Sequence, residues 1–245
     1  MKKLYTVLFS LVLFQTGFAQ DGPKTPVGGR PNIPSDLSFE FGFNQLNNRP
    51  EDMSLNFFRS RTFNVYFQHP IKIFGETSGI TVNPGIGVGT DKYAFKDAQN
   101  LFNDPVKGVE SSELKEISEV YGDNIRLKTN TFAANYFDIP LDFTYHLNKT
   151  NHTKGFRFSI GAKFGVLYEA HSKIKYKDSD GLKRKVKDSQ NYGLEKFRYG
   201  LTFKAGSPGF YSWFYYGLND TFQAGKGPIG TQASQINFGV AVKVF

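Results

Sequence analysis

Cysteine is absent from the 245 residues, and tryptophan, methionine and histidine number only one, two and four. Without a thiol there is no disulfide scaffold, no thiolate metal centre, no iron–sulfur ligation and no cysteine nucleophile. A lipid-modified N-terminal cysteine is excluded as well. Long apolar runs are also missing. After the first 14 residues nothing approaches the ~18 consecutive apolar residues of a membrane-spanning helix, and mean hydropathy is −0.40. What is abundant is aromatic and small: 26 Phe, 13 Tyr and 25 Gly. That combination suits sheets with one apolar face more than helices.

Three segments are expected. Residues 1–19 read as a secretory signal peptide: Lys2 and Lys3 are followed by an uncharged run from Leu4 to Phe14 and a small-residue site at Gly17-Phe18-Ala19. Its removal takes two lysines and no acid, lowering the formal charge from +8 to +6. Residues 20–35 hold four Pro and three Gly and read as a flexible periplasmic leader. Residues 36–245 carry the fold.

From Asp36 onward apolar and polar residues alternate with the period of two that defines a strand with two unlike faces. Phe39, Phe41 and Phe43 oppose Ser38, Glu40 and Gly42. The pattern recurs around 63–67, 80–89, 137–146, 156–166, 197–203 and 235–244, while 210–218 is aromatic on both faces. These are eight strands. The connections between them alternate between long and short, with 74–78, 148–154 and 206–209 short. An even number of amphipathic strands joined in this way predicts an all-β, eight-stranded, antiparallel up-and-down transmembrane barrel with long extracellular loops. A soluble lipocalin-like barrel would turn the apolar face inward and expose Lys and Glu outside. Here the polar face is rich in Gly, Ser, Thr and Asn, which suits a narrow lumen.

The expected lumen set is Glu40, Asp138, Asp142, Arg157, Lys163, Arg198 and Lys204. An eight-stranded barrel is just wide enough for its side chains to fill it, so these charges are expected to pair as a plug. Candidate chemistry is sparse. His69, His146, His152 and His171 form no helical metal pair. His171 with Ser172 and Glu169 is the one constellation that could imitate a lipid A-modifying hydrolase or acyltransferase. Strand parity, however, puts Ser172 on the face opposite Glu169 and His171. The run Gly85-Ile-Gly-Val-Gly-Thr90 lacks the following helix of a phosphate loop. No catalytic, cofactor or metal residue is therefore assigned.

The loops carry more signal. Residues 96–124 hold seven acids and three lysines, and residues 173–187 hold seven Lys or Arg and two Asp. The simplest expectation is that the two loops pair. The basic one could alternatively face lipopolysaccharide phosphate; nucleic acid is not an expected partner. Ser112–Tyr121 is expected to form a helix whose face Leu114, Ile117, Val120 and Tyr121 docks a partner.

Strand 4 reads Asn135-Tyr-Phe-Asp-Ile-Pro-Leu-Asp-Phe-Thr-Tyr-His146. It resembles the Y-L-E-I-P-L strand of the PorT-like outer-membrane β-barrel family of Bacteroidota, as does a signal peptide ending Phe-Ala-Gln. The resemblance implies an outer-membrane barrel whose name-giving member is linked to type IX secretion and gliding. Phe245 departs from it, being out of phase with Ile236–Val244. Together these readings lead to the expectation of a non-enzymatic, structural or accessory subunit without cofactors. Its expected partners are outer-membrane lipid and lipopolysaccharide, and other outer-membrane or secretion and assembly proteins. A lipid A-modifying enzyme and a small-solute channel are the alternatives.

Overall fold

The computed structural model describes residues 35–75, 78–228 and 232–244. The expected signal peptide at 1–19, the expected leader as far as residue 34, and Phe245 lie outside the described residues. Twelve strands and one short helix are formed: β1 (Asp36–Asn47), β2 (Arg61–Gln68), β3 (Ile71–Ile73), β4 (Ile80–Ala94), β5 (Gln99–Phe102), β6 (Glu113–Glu116), α1 (Ile117–Tyr121), β7 (Arg126–His146), β8 (Arg157–Lys177), β9 (Lys183–Ser189), β10 (Phe197–Ser207), β11 (Phe210–Asp220) and β12 (Ser234–Lys243). Eight of them, β1, β2, β4, β7, β8, β10, β11 and β12, pair antiparallel in ring order. The ring closes where β1 meets β12, with Phe41 opposite Val240. Closure leaves no lipid-facing backbone edge, which is the condition for a sheet to cross a bilayer. Beyond the ring, β3 extends the ladder on β4, β9 folds back on β8, and β5 pairs β6 as a separate hairpin.

The expected face assignment holds around the ring. Ile160, Ile86, Phe137 and Ile139 point outward and are 56–65% exposed, while their neighbours Ser159, Asp138 and Asp142 are buried inside. The ambiguous strand β11 resolves with Tyr211, Trp213 and Tyr215 inward and Phe214 and Tyr216 outward. Glycine on the inner face makes room for long side chains. A Cβ at Gly89 or Gly165 would collide with Arg198 and Asp138, and one at Gly200 with the Tyr215 ring. Between β10 and β11 the chain reverses through Pro208 and Gly209, the latter at φ +93°, a conformation open chiefly to glycine. Pro140 sits inside β7 although it cannot donate to the ladder. The β4–β7 register is the same on either side of it but lacks bridges at Gly85 and Ile86.

β7 and β8 are 21 residues each, far longer than a membrane needs. Their apolar outward row on β8 runs from Phe158 to Tyr168, which spans roughly 25 Å at the tilt of such barrels. There the strand changes character. Asn135 pairs Glu169 and Tyr136 pairs Leu167, so Tyr168 is an extra residue, a β-bulge. Below the bulge the odd positions Ser159, Lys163 and Gly165 face in. Above it the even positions Ala170, Ser172 and Ile174 face in, and they are buried. Outward residues above the bulge are Glu169, His171, Lys173, Lys175 and Lys177. Polarity therefore inverts at the membrane surface: apolar out and polar in below, polar out and apolar in above.

Candidate functional site

Three regions follow from that inversion: a charged lumen, an apolar cap over its outer end, and an outer wall. In the lumen Arg198, from β10, grips Asp138 of β7 with two bonds, Nη2 to Oδ2 at 2.6 Å and Nε to Oδ1 at 3.0 Å, and pairs also with Asp91 of β4. Its guanidinium lies 3.9 Å from the centre of the Tyr136 ring. Lys204 bridges Glu40 and Asp142 at 2.9 Å each. Lys163 lies 3.9 Å from the centre of the Tyr215 ring. Neutral donors complete the carboxylates: Tyr66 Oη donates to Asp138 at 2.8 Å, Gln68 Nε2 to Asp142 at 2.8 Å, and Asn237 Nδ2 to Asp91 at 2.8 Å. A buried charge without such partners costs several kcal/mol; here four acids and three bases from five strands lock the barrel across its width. The interior cavity beside Lys204 and Asp142 is about 20 Å³, room for a single water. A second cavity, about 240 Å³, opens at the periplasmic mouth between Asp36, His146, Arg157 and Lys243.

The expected lumen set is assembled, with Arg157 at its periplasmic end lining both cavities. Sequence reasoning missed Asp91, which continues the inward parity of Asn83 and Gly89 beyond the point where the apolar alternation of β4 ends.

The cap is built from loops folded back over the lumen. Met53 and Leu55 from the first loop, Tyr192 and Leu194 from the third, and Phe222 from the fourth pack on Phe132 and Tyr93 of the extended strands. Tyr93 and Phe132 stack at 5.0 Å between ring centres. Tyr192 Oη donates to Ser172 Oγ at 2.9 Å, and burial pushes its hydroxyl up to about 12, keeping it a donor.

The expected helix over Ser112–Tyr121 is corrected. Residues 113–116 form β6, with Leu114 opposite Leu101, and only Ile117–Tyr121 is helical. Ile117 is buried, Leu114 packs on the cap core, and Tyr121 packs against Phe102 and Tyr176. The intended docking face is thus mostly consumed by the protein itself; Val120 stays exposed. Contrary to expectation, among the described residues no ion pair joins the acidic loop to the basic one. The acidic loop pairs within itself, Lys107 with Asp104 and Lys115 with Glu113. It meets the basic hairpin through Tyr121 and Tyr176, on the inward face, while strand parity turns the lysines of that hairpin outward.

His171 and Glu169 do meet, Nδ1 to Oε1 at 3.2 Å, on the outer wall. Ser172 lies on the opposite face under Tyr192, so the three are not brought together. Burial and Lys187 hold the His171 imidazole below its usual range, and the hydrogen bond from Lys187 holds Glu169 low. The rings of His146 and His152 stack at 4.0 Å near the periplasmic mouth, and His69 Nδ1 lies 3.2 Å from Ser35 Oγ. Among the described residues no group of three His or acidic side chains is placed to hold a metal ion.

A closed eight-stranded ring with an apolar wall and a paired, polar lumen is an outer-membrane architecture, and residues 18–223 match the family model described as "Outer membrane protein beta-barrel domain". The chain belongs to that family. It is an outer-membrane β-barrel protein. Among curated proteins none matches. Solved structures similar to the chain include one described as "Asymmetric conductivity of engineered proteins", at 8% identity, and a triple mutant of the Rhodopseudomonas blastica porin, at 9%. Each similarity covers 85% of this chain and 99% of the other, with a TM-score of 0.21. At that score the likeness carries nothing about pore or solute, and the family match is what fixes the class.

Proposed function

We propose that this outer-membrane barrel is a non-enzymatic structural or accessory subunit that meets outer-membrane lipid and lipopolysaccharide along its wall and protein partners through the outside of its cap. The observation that carries the reading is the double closure of the barrel, by the Arg198 and Lys204 ion pairs in the lumen and by the apolar cap above them. A solute channel needs a path, and the interior cavity beside Lys204 and Asp142, about 20 Å³, has room for a single water. The lipid A-modifying alternative rested on His171 with Ser172, which face opposite ways. What is left for action is the exterior. The tip between β5 and β6 is its most prominent apolar element, with Val106 and Val109 at 93% and 85% exposed. The resemblance of residues 135–146 to PorT-like barrels of Bacteroidota supports partners among secretion or assembly proteins, and the sequence of residues 1–19 supports export by a cleaved signal peptide.

A photo-crosslinking residue at Val106 in living cells tests the proposal. A discrete crosslinked protein should appear and should be lost in the Val106→Asp/Val109→Asp double variant. A barrel that stays uncrosslinked from Val106, Val120 and Leu182 alike and elutes alone from gently solubilised membranes refutes the accessory role.

A further inference from the structure

Above the bulge, β8 and β9 form a hairpin whose register sets like charges face to face: Lys173 opposite Lys187, Lys175 opposite Lys185, and Lys177 opposite Lys183. All six lysines fall on the outward face, because residues two apart share a face. Like charges directly opposite destabilise a ladder, and here three such pairs are stacked in succession. Among the described residues the one acid that pairs with any of the six is Glu169, at 3.0 Å from Lys187. The crowding is felt in the side chains. Lys175 first, then burial, Lys185 and Lys187, hold Lys173 below the usual lysine range.

The comb does not stand alone. In the row beneath it, Arg61 of β2 is opposite Lys92 of β4, which is opposite Ala133 of β7, which is opposite His171. Lys92 is itself held low, by burial and then by Arg61, Lys173 and Arg59, so the barrel row and the hairpin comb share one field. Two rows further toward the periplasm the same wall is apolar: Val65, Val88, Phe137 and Tyr168, the last two 4.5 Å apart between ring centres. A single face therefore descends from dense positive charge, through Thr90 and Asn135, to hydrocarbon-facing rings.

We propose that this face of β2, β4, β7, β8 and β9 is a binding site for a phosphorylated glycolipid of the outer leaflet, its phosphates on the lysine comb and its acyl chains on the apolar wall below. Three facts favour a lipid over a soluble polyanion. The charge sits on the outside wall rather than over the cap, it begins where the apolar belt ends, and the two are continuous on the same strands. Phosphate also supplies the counter-charge that the ladder lacks. The proposal deepens the lipid half of the function above and needs only the outer-membrane placement; it stands or falls apart from the accessory role.

The test is native mass spectrometry and a vesicle-binding titration of the purified full-length barrel in uncharged detergent. The probes are bis-phosphorylated lipid A, the same lipid with both phosphates removed, and inorganic phosphate. The wild-type protein should retain phosphorylated lipid A at least about tenfold more tightly than the dephosphorylated form, at roughly a factor of five per lysine engaged. Lys175→Gln/Lys185→Gln should lose about ten- to thirtyfold of that affinity while melting no lower in lipid-free detergent, since it relieves a repulsive pair. Lys149→Gln/Lys154→Gln, at a periplasmic turn, removes equal charge and should bind as wild type. Equal retention of the phosphorylated and dephosphorylated lipids overturns the proposal without recourse to any variant. Saturation by inorganic phosphate alone overturns the lipid assignment, and an equal loss in the two double variants overturns the location.

Discussion

Replacing Arg198 by methionine should do more damage than any single change of similar size on the wall. Arg198 is 4% exposed and is shared by two carboxylates that are themselves fully buried, Asp91 and Asp138. Methionine keeps most of the stem that packs over Tyr136 but strands both acids. Removing one member of a buried ion pair costs about 3–5 kcal/mol, because the charge left behind has neither water nor a partner. With two acids stranded, the upper end of that range is expected. The same reasoning makes a second, opposite forecast. In Arg198→Met/Asp91→Asn/Asp138→Asn neither acid is left charged, the donors from Tyr66 and Asn237 still find amide oxygens, and Lys163 keeps the Tyr215 ring and the more distant Glu40. Most of the loss should return, to within about 1–2 kcal/mol of wild type, since buried ion pairs are close to neutral against uncharged replacements. The single tryptophan makes the assay direct. Trp213 is inside the barrel with its indole N–H donating to the Val240 carbonyl at 3.2 Å, so its fluorescence follows opening of the lumen in a guanidinium titration of the barrel in lipid vesicles. A single variant that loses under about 1 kcal/mol, or a triple variant no better than the single, would refute the view that the lumen charges form one mutually dependent plug.

Further outcomes are expected. The native protein should resist alkaline carbonate extraction and migrate differently on SDS gels before and after boiling, and planar bilayers should show no stable open conductance. Ile160→Arg, outward and 64% exposed, should cost roughly 2–4 kcal/mol near the midplane, whereas Ser159→Arg, its inward neighbour, should suffer from crowding instead; vesicle unfolding that ranks them by lipid exposure in reverse would invert the faces of β8. Phe132→Ala removes a ring from the middle of the cap and should cost about 3–5 kcal/mol, seen as faster protease cleavage in the outer loops while the heat-modifiable barrel persists. Excising residues 108–122 should likewise leave the barrel inserted. It removes Ile117 and the Ser112 hydroxyl that donates to the Tyr192 carbonyl at 2.6 Å, so protease sensitivity should spread to the third loop.

The barrel itself was legible because a two-residue period is unmistakable when one face is Phe, Ile and Val and the other Gly, Ser and Asp. The lumen charges followed from the same parity. The cap and one lumen acid were not legible, for three separable reasons. The bulge at Tyr168 shifts parity by one, so a pattern read upward from Phe158 assigns the wrong face from Ala170 onward. Leu114, Ile117, Val120 and Tyr121 fit a helical period, yet Leu114 is held by a non-local partner, Leu101, across a long loop, and local periodicity cannot register that. Asp91 lies where outward residues turn from Val88 to Thr90 and Lys92, so the alternation that marks a strand fades while the strand continues. The functional site suffers most from this, since the lysine comb appears in sequence as a mixed run, Lys-Ile-Lys-Tyr-Lys, and only the hairpin register converts it into six cations on one surface.

The length of β7 and β8 also bears on how the molecule reaches its place. The hairpin tip between β8 and β9 starts in the periplasm and ends outside, so it must be carried over the whole thickness of the hydrocarbon. That segment, 173–187, holds seven Lys or Arg. At roughly 2–4 kcal/mol for each such side chain at the bilayer midplane, unaided passage in the charged state faces a barrier on the order of 14–28 kcal/mol. A barrier of that size would make passage of the β8–β9 tip slow unless the charged segment is sheltered from the hydrocarbon. Insertion into bare lipid vesicles should quicken when the comb lysines are exchanged for glutamine, a dependence the finished barrel, with those side chains already in water, does not share.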